Sequence, residues 1–380
     1  MVGVKLMASF QKTRKVNCDD LQSKVQTIAG AWKGGKFMCL TDRPYSLNTY
    51  CLPKVWYRCS SINLRACDFA KMNSLAKSWL YADQLEKPED IVLFRKRSIG
   101  GLGLVNIQFK SLSLLIRSFL ETAIIPTFNH SQYHTSLFKW FVEDKRDIAK
   151  PSLPPYYDEI FFGYIREVKQ EGLLNVKTMT SGMWYRVLLE NHVTHEVVNS
   201  RMRLKPCKAE NNNPEVNWEK VWQLAVTPGL PSELLTFLWR MLHNLLPCQT
   251  RLFRLSMPNI TSNICTLCDE NQVGDLTHSL MLCSFNEGAG QFLLTLLQNH
   301  IPSLQPGQVV LLDLDVQEDH QLPLVFLTAS VLYQVWTFRK EKRPCHLASI
   351  RAALEASVNI MRKSRHGEAA QKLSSVLNLA

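Results

Sequence analysis

The chain has 380 residues, of which 46% are hydrophobic and 20% are charged. This length exceeds the roughly 250–300 residues at which one hydrophobic core stops growing, so we expect two or more structural units. We find no secretory signal sequence at the N-terminus and no continuous apolar run of the ~18 residues that a membrane span needs. We therefore expect an intracellular protein, nuclear or cytoplasmic, with no membrane partner.

Positive charge is concentrated in the first part of the chain, and the formal net charge is +11. Residues 1–150 contain 23 Lys and Arg residues against 12 Asp and Glu residues, whereas residues 151–380 contain 21 of each kind. A localised basic surface favours a polyanionic partner, RNA and/or DNA ahead of an acidic membrane. The alternative is a basic surface that is only solvated.

Hydrophobic periodicity predicts several helices in the basic region, and the proline at position 53 is expected to kink or break the second one. Asn17 or Asp19 is the predicted N-terminal cap of the first helix. The predicted helices cover residues 19–31, 46–58, 69–81, 111–124 and 135–150.

A glycine-rich segment, Gly100-Gly101-Leu102-Gly103-Leu104, follows Arg95-Lys96-Arg97. Its spacing differs from that of a phosphate-binding glycine loop, and no strand–helix pair frames it. It is predicted to be a tight turn in which glycine supplies positive φ angles or a close backbone approach. The three adjacent basic residues are candidates for contact with a phosphate backbone.

The remainder of the chain is also predicted to be helical, with breaks at the proline-rich segment 151–155 and at residues 211–214. Residues 308–316 are predicted to be either a short strand or the start of a buried helix. Because few segments show strand-like alternation, the predicted fold class is mainly α. The predicted helices cover residues 156–170, 181–192, several segments after Trp218, 290–300, 323–339, 346–362 and 368–377.

The strongest local signal is a compact array of four possible metal ligands, Cys265, Cys268, His278 and Cys283. The Cys-x-x-Cys spacing lets two thiolates bind one ion, and four N and S ligands suit a tetrahedral structural zinc with no open position. The alternative is a chance cluster, because the chain has eleven cysteines and ten histidines. The odd, scattered cysteine set indicates reduced thiols, for which metal binding is the expected role of close pairs.

Other residues that suggest catalysis have simpler explanations. Asp19-Asp20 resembles a polymerase aspartate pair, but the two residues are predicted to lie at a helix start, where carboxylates cap and complement the dipole. His192 and His195 are predicted to lie at a helix end with no third ligand. Asp313 and Asp315 alternate on an apolar run without a recognisable nuclease motif.

Taken together, the motifs occur in an order that resembles the part of a LINE-type, non-LTR retrotransposon polyprotein that follows the reverse transcriptase palm. The motifs are Leu-Gln-Ser-Lys-Val (21–25), Ala-Trp-Lys (31–33), Leu-Asn-Thr-Tyr (47–50), Pro-Lys-Val-Trp-Tyr (53–57), Gly-Gly-Leu-Gly-Leu-Val-Asn (100–106), Phe-Leu-Trp-Arg-Met-Leu-His-Asn-Leu-Leu-Pro (237–247) and the Cys/His array, with a weaker match at Val-Trp-Thr-Phe-Arg (335–339).

The resemblance implies a thumb-like helical region followed by a helical domain with a small zinc module. In the family, the thumb grips the template–primer duplex and the zinc region is thought to help bind nucleic acid. The implied segments are a basic thumb-like region (1–150), a helical linker region (151–215), a zinc-binding-like domain (216–285) and a C-terminal helical region (286–380). The implied metal ligands are the four residues of the array, and the nucleic-acid contacts are Lys33, Lys36, Arg43, Arg95, Lys96 and Arg97.

The sequence contains no counterpart of the family's fingers and palm, which carry the catalytic aspartates. We therefore predict a nucleic-acid-binding remnant without polymerase activity by itself and without catalytic residues. One alternative is an inert or protein-interaction-only fragment of a transposable element, with the C-terminal helices as the partner surface. Another is the downstream piece of an active RNA-directed DNA polymerase.

Overall fold

The computed structural model describes residues 4–31, 38–59, 62, 64–81, 88–124, 179–190, 195–198, 201–204, 206–286, 288–362 and 367–377. Within these ranges the fold is mainly α, as predicted, with one antiparallel pair of short strands. The described residues form two compact units: unit 1 is Met1–Arg95 with Leu102–Lys205, and unit 2 is Lys96–Gly101 with Pro206–Ala380. The finer division into four segments stays a prediction, and the predicted helices 135–150 and 156–170 lie outside the described residues.

Unit 1 is a helical assembly with a small β-hairpin. Strand His195–Val198 pairs with strand Arg201–Leu204 in the register His195 to Leu204. The prediction that His195 ends a helix is therefore wrong, and the preceding helix ends at Leu189. The helices are Phe10–Ala31, Arg43–Ser46, Pro53–Cys59, Ala66–Leu80, Asp90–Phe94, Ile107–Ile124 and Ser181–Leu189, with a π-helix at Leu47–Cys51.

The first helix begins at Phe10, nine residues before the predicted start. Asn17 does not cap it: its side-chain amide donates to the carbonyls of Lys5 and Thr13, and so fastens the N-terminal segment to the helix. Asp20 lies mid-helix and forms ion pairs with Arg58 and Lys24. Hydrogen bonds from these two bases lower the pKa of Asp20 below its usual range. The interpretation of Asp19-Asp20 as a capping pair is wrong, because the helix begins at Phe10. The Asp20 carboxylate instead forms an ion pair with Arg58 of another helix.

The predicted break at Pro53 is present and has a backbone cause. Proline has no N–H to donate to the preceding turn, and the helix before it widens into the π-helix Leu47–Cys51. The N–H of Leu52 accordingly donates to the carbonyl of Leu47, five residues earlier, at 2.9 Å. This wider turn changes which side chains face the core between the two α-helical parts.

Unit 2 consists of helices around one long central helix. Its elements are Lys208–Asn212, Trp218–Ala225, Ser232–Leu242, Gln249–Arg254, Ala289–Gln298, Pro306–Leu311, Glu318–Lys340, Leu347–Arg362 and Gly367–Val376, with a π-helix at His278–Leu282 and 3₁₀ turns at Arg97–Ile99 and Ser284–Asn286. Of the two structures predicted for residues 308–316, the helix is the one present, and it ends at Leu311.

The central helix Glu318–Lys340 is the core of unit 2. Its residues from Pro323 to Leu332 are all buried. By length and composition alone this helix is apolar enough to cross a membrane, but 61% of its apolar window is buried inside the fold. Buried on most sides, an apolar helix of this kind is expected at the centre of a large globular unit.

The glycine-rich turn contributes its first part, Lys96–Gly101, to unit 2. Gly100 has a φ of +81°. Its carbonyl accepts a hydrogen bond from Trp239 Nε1 at 3.0 Å and lies 2.8 Å from His243 Nε2. The His243 ring stacks on Trp222, with ring centroids 4.9 Å apart. The predicted tight turn is therefore present, and it is held by an aromatic cluster from two helices.

We predict that Gly100→Ala lowers the stability of unit 2 by about 2–4 kcal/mol, because a residue with a Cβ is strained at this φ and also overpacks the aromatic cluster. A Cβ at this position would lie 2.5 Å from Trp222 Cε2. The measurement is the midpoint of urea denaturation followed by tryptophan fluorescence.

The matched control is Gly307→Ala, also in unit 2, where a Cβ meets nothing within 4 Å. Since Gly307 lies in a helix, alanine there is expected to leave the midpoint unchanged or raise it slightly. Equal midpoints for the two variants would contradict this account of the turn.

Candidate metal centre

Cys265 and Cys268 are presented by a short hairpin-like loop. An isolated antiparallel bridge joins Ile264 and Val273. The N–H of Cys265 donates to the Gln272 carbonyl, and the N–H of Gly274 donates to the Asn263 carbonyl, both at 2.8 Å. A Cβ on Gly274 would lie 3.2 Å from the Cα of Cys265, so the two strands of the loop approach closely at this point.

His278 and Cys283 are brought together by a π-helical turn. The turn covers His278–Leu282, and Asp275 begins it by accepting a hydrogen bond from the His278 N–H at 2.7 Å. The Cys283 N–H donates to the His278 carbonyl at 2.8 Å. Since a π-turn closes on residue i+5, it explains how ligands five positions apart reach the same ion.

The four ligand atoms form a compact cluster in which every pair lies within 4.8 Å. Cys265 Sγ and Cys283 Sγ are 3.8 Å apart, and Cys268 Sγ lies 3.4 Å from His278 Nε2. A tetrahedral zinc with Zn–S bonds of about 2.3 Å requires sulfur–sulfur separations of about 3.8 Å. A disulfide, by contrast, requires about 2.05 Å, so the donor set fits zinc in both type and spacing.

Electrostatics also favour a cation at this cluster. Burial by itself raises the pKa of Cys265, but the Leu267 N–H and the Arg339 guanidinium donate hydrogen bonds to its sulfur and lower the pKa overall. Burial and the neighbouring thiols of Cys265 and Cys283 raise the pKa of Cys268. Three thiols this close cannot all ionise unless positive charge compensates them, and a bound divalent cation supplies that charge.

Arg339 is a neighbour of the cluster that the metal-ligand pattern did not reveal. It lies in the last turn of the central helix. Its Nη2 donates to Cys265 Sγ at 3.5 Å, across 74 residues of sequence. A zinc ion with three thiolates and one neutral imidazole has a formal charge of −1, which one guanidinium neutralises. The only available sequence signal was the basic end of an apolar helix.

The helix Ala289–Gln298 packs directly on the π-turn. A Cβ on Gly290 would lie 2.0 Å from the Met281 carbonyl oxygen, so only glycine fits at this contact. The Asn286 side-chain amide donates to the Ser279 carbonyl at 2.9 Å. These contacts fix the turn that carries His278, and spacing alone did not predict them.

The predicted nucleic-acid contacts are dispersed in the structure. Lys33 and Lys36 lie outside the described residues. Arg43 is 5% exposed and donates to the Leu80 carbonyl at 2.7 Å, and Arg95 is 1% exposed. Lys96 is exposed and Arg97 half-buried, both in unit 2. The two buried arginines do not reach the surface in this structure, and nucleic-acid contact by the set stays a prediction.

Comparison with known proteins identifies the region around the cluster. Residues 205–289 match the family described as zinc-binding in reverse transcriptase. A search of curated proteins finds no significant match to the chain. The matched residues contain all four clustered ligands, so this part of the chain is similar to the zinc-binding region of reverse transcriptases and contains a Cys₃His cluster that could hold a metal ion.

We predict about one zinc per purified chain and a large loss of zinc on Cys268→Ser, because the remaining three ligands cannot complete the tetrahedron. Zinc content is measured by inductively coupled plasma mass spectrometry after dialysis. Cys67→Ser, at an exposed cysteine in unit 1, is the matched control and is expected to retain the metal. Zinc below a tenth of the chain concentration in the wild type would contradict the assignment.

We predict that Arg339→Gln weakens zinc binding about tenfold, the usual order for loss of an outer-shell partner. The assay is competition with a chromogenic chelator, and Arg339→Lys is expected to fall between wild type and Arg339→Gln. Arg343→Gln removes a nearby exposed arginine that pairs with Glu341 and is expected to bind zinc as the wild type does. Equal affinities for Arg339→Gln and Arg343→Gln would rule out a role for the Cys265 contact.

Proposed function

We propose that this chain is a nucleic-acid-binding remnant of a LINE-type, non-LTR retrotransposon reverse transcriptase, acting without the catalytic palm. The proposal includes a nuclear or cytoplasmic location and RNA and/or DNA as the partner. The observation that carries it is the fit of the Cys₃His cluster, in both ligand type and spacing, inside a region that matches the zinc-binding region of reverse transcriptases.

In this proposal the zinc is structural. All four positions of a tetrahedral site are filled by protein ligands, which leaves no position for water or substrate. Bound to Cys265 and His278, the metal would hold the loop of Cys265 and the π-turn of His278 together beside the central helix. The catalytic residues of nucleotide transfer would belong to another part of the parent enzyme, and we assign none to this chain.

Unit 2 offers basic groups for contact with a phosphate backbone. Lys96 and Arg97 lie on the glycine turn that Trp222, Trp239 and His243 hold in place. A rigid turn places these two charges without the entropy cost of ordering a flexible loop, which supports contact with nucleic acid. Backbone contacts of this kind give affinity without base specificity.

We predict that the full chain binds nucleic acid with an affinity that falls steeply with salt, because each neutralised phosphate releases counterions. Lys96→Gln combined with Arg97→Gln should weaken binding to all sequences alike and reduce the slope of log affinity against log salt by about one to two. The measurement is fluorescence anisotropy of a labelled duplex at four salt concentrations.

The control for this prediction removes two other positive charges from unit 2. Lys220→Gln combined with Lys372→Gln changes the net charge equally, but each of these lysines is ion-paired, with Asp315 and Glu368 respectively. A smaller change in slope is expected for the control. The absence of any binding at low salt would reject nucleic-acid binding and favour the protein-interaction alternative.

A further inference from the structure

Three exposed tyrosines share one face of the helices that follow Asp42 in unit 1. Tyr45, Tyr50 and Tyr57 are 65%, 58% and 63% exposed. Large apolar side chains are exposed at only a few described positions, and three of them fall within 13 residues. We call this surface the tyrosine face; its exposed positions are Tyr45, Thr49, Tyr50, Pro53, Lys54 and Tyr57.

The tyrosine face results from helix geometry. The opposite side of the same segment is buried and contains Leu47, Cys51, Leu52, Val55 and Cys59. Lys54 and Tyr57 are three residues apart in the helix Pro53–Cys59 and are therefore neighbours on its surface. Tyr50 is exposed in the π-helix immediately before that helix. The π-turn before Pro53 lets Tyr45 lie on the same side despite its five-residue spacing from Tyr50.

Exposed aromatic rings in a row need an explanation, because tyrosine gains free energy when its ring is covered. Neighbouring exposed rings mark a surface that another molecule covers. The exposed positions of this face include no aliphatic side chain of the kind that anchors a helical protein partner in a groove. Flat rings with a neighbouring lysine instead match bases and phosphates, which stack on aromatic side chains and pair with basic ones.

Charge supports an anionic partner at the same place. Residues 43–81 contain six Lys and Arg residues, of which Arg43 and Arg58 are buried, while Arg58, Arg65 and Lys77 pair with Asp20, Asp68 and Asp90. Lys54 is the base among the exposed positions of the tyrosine face. By unit, unit 1 contains 28 basic and 18 acidic residues, whereas unit 2 contains 16 and 15. The net positive charge of the protein therefore belongs to the unit with the tyrosine face. The nearest acid in sequence, Asp42, is half-buried.

We propose that the tyrosine face binds single-stranded nucleic acid, with bases stacked on Tyr45, Tyr50 and Tyr57 and a phosphate bound by Lys54. The inference rests on the proposed function and specifies its partner. Seven residues of helix separate Tyr50 from Tyr57 by about 10 Å, whereas bases within a strand of duplex are about 3.4 Å apart. The rings therefore suit unstacked bases, which a duplex does not present.

The test compares Tyr50→Ala with Tyr50→Phe in the full chain. The probes are fluorescein-labelled 20-nucleotide oligo(dT), oligo(U) and a 20-base-pair duplex, and the readout is anisotropy at four salt concentrations. Loss of one stacking ring is expected to lower single-strand affinity roughly tenfold at every salt concentration, with the salt slope unchanged. Tyr50→Phe keeps the ring and is expected to stay within about twofold of wild type, and duplex affinity should not change.

Lys54→Gln measures the contribution of charge to single-strand affinity separately from the contribution of base stacking. It should lower the single-strand salt slope by about 0.7, the value for one phosphate contact. The matched aromatic control is Phe253→Ala, an exposed ring in unit 2, which should bind as wild type. Circular dichroism melting of each variant checks folding, which substitution at exposed positions should leave intact.

Three outcomes decide the matter. Loss of single-strand affinity in Tyr50→Ala, deepened by adding Tyr45→Ala and Tyr57→Ala, supports the inference. Equal single-strand binding by the triple variant and the wild type overturns it, while the proposed function stands if the wild type binds nucleic acid. A wild type that binds neither single strands nor duplex overturns the inference and the proposed function together.

Discussion

The closeness of three cysteine sulfurs and one imidazole nitrogen is the constraint on which the zinc-binding region depends. Between Arg254 and Ala289 the described residues form only an isolated bridge, one π-turn and one 3₁₀ turn. Apart from the two ligands Cys265 and Cys283, only Leu280 and Met281 are buried hydrophobic side chains among the described residues of this segment, so apolar burial within it offsets little of its ordering entropy. A zinc ion held by Cys265, Cys268, His278 and Cys283 would contribute stabilising free energy, on the order of 10 kcal/mol in small zinc modules.

A hydrogen bond connects the cluster to the central helix of unit 2. Arg339 donates to Cys265 Sγ from the end of the helix Glu318–Lys340, whose middle is fully buried. The match to the reverse transcriptase zinc-binding family ends at residue 289, fifty residues earlier. The electrostatic environment of the Cys₃His cluster therefore includes a residue beyond the matched segment.

The sequence predicted those features that depend on local chemistry. The Cys-x-x-Cys spacing, the break at Pro53 and the glycine turn each follow from the properties of neighbouring residues, and the structure contains all three. Features that depend on distant partners were not predicted. The resemblance implied Arg43 as a nucleic-acid contact, which requires a surface position, but Arg43 is buried and a carbonyl 37 residues away accepts its hydrogen bond. Asp20 is mid-helix because the first helix begins at Phe10, and its partner Arg58 lies 38 residues away in the sequence.

Counting charge by structural unit, instead of by sequence segment, assigns nearly all of the net positive charge to unit 1. Lys96 and Arg97 were counted with that region, but they belong to unit 2, which is nearly neutral. In the proposed function, electrostatic attraction of a polyanion therefore comes mainly from unit 1, while unit 2 contributes the two basic residues of the glycine turn. On this proposal the unit with most of the positive charge and the unit with the candidate metal cluster are different, so we expect removal of zinc to alter the fold of unit 2 and to leave intact the electrostatic part of binding by unit 1.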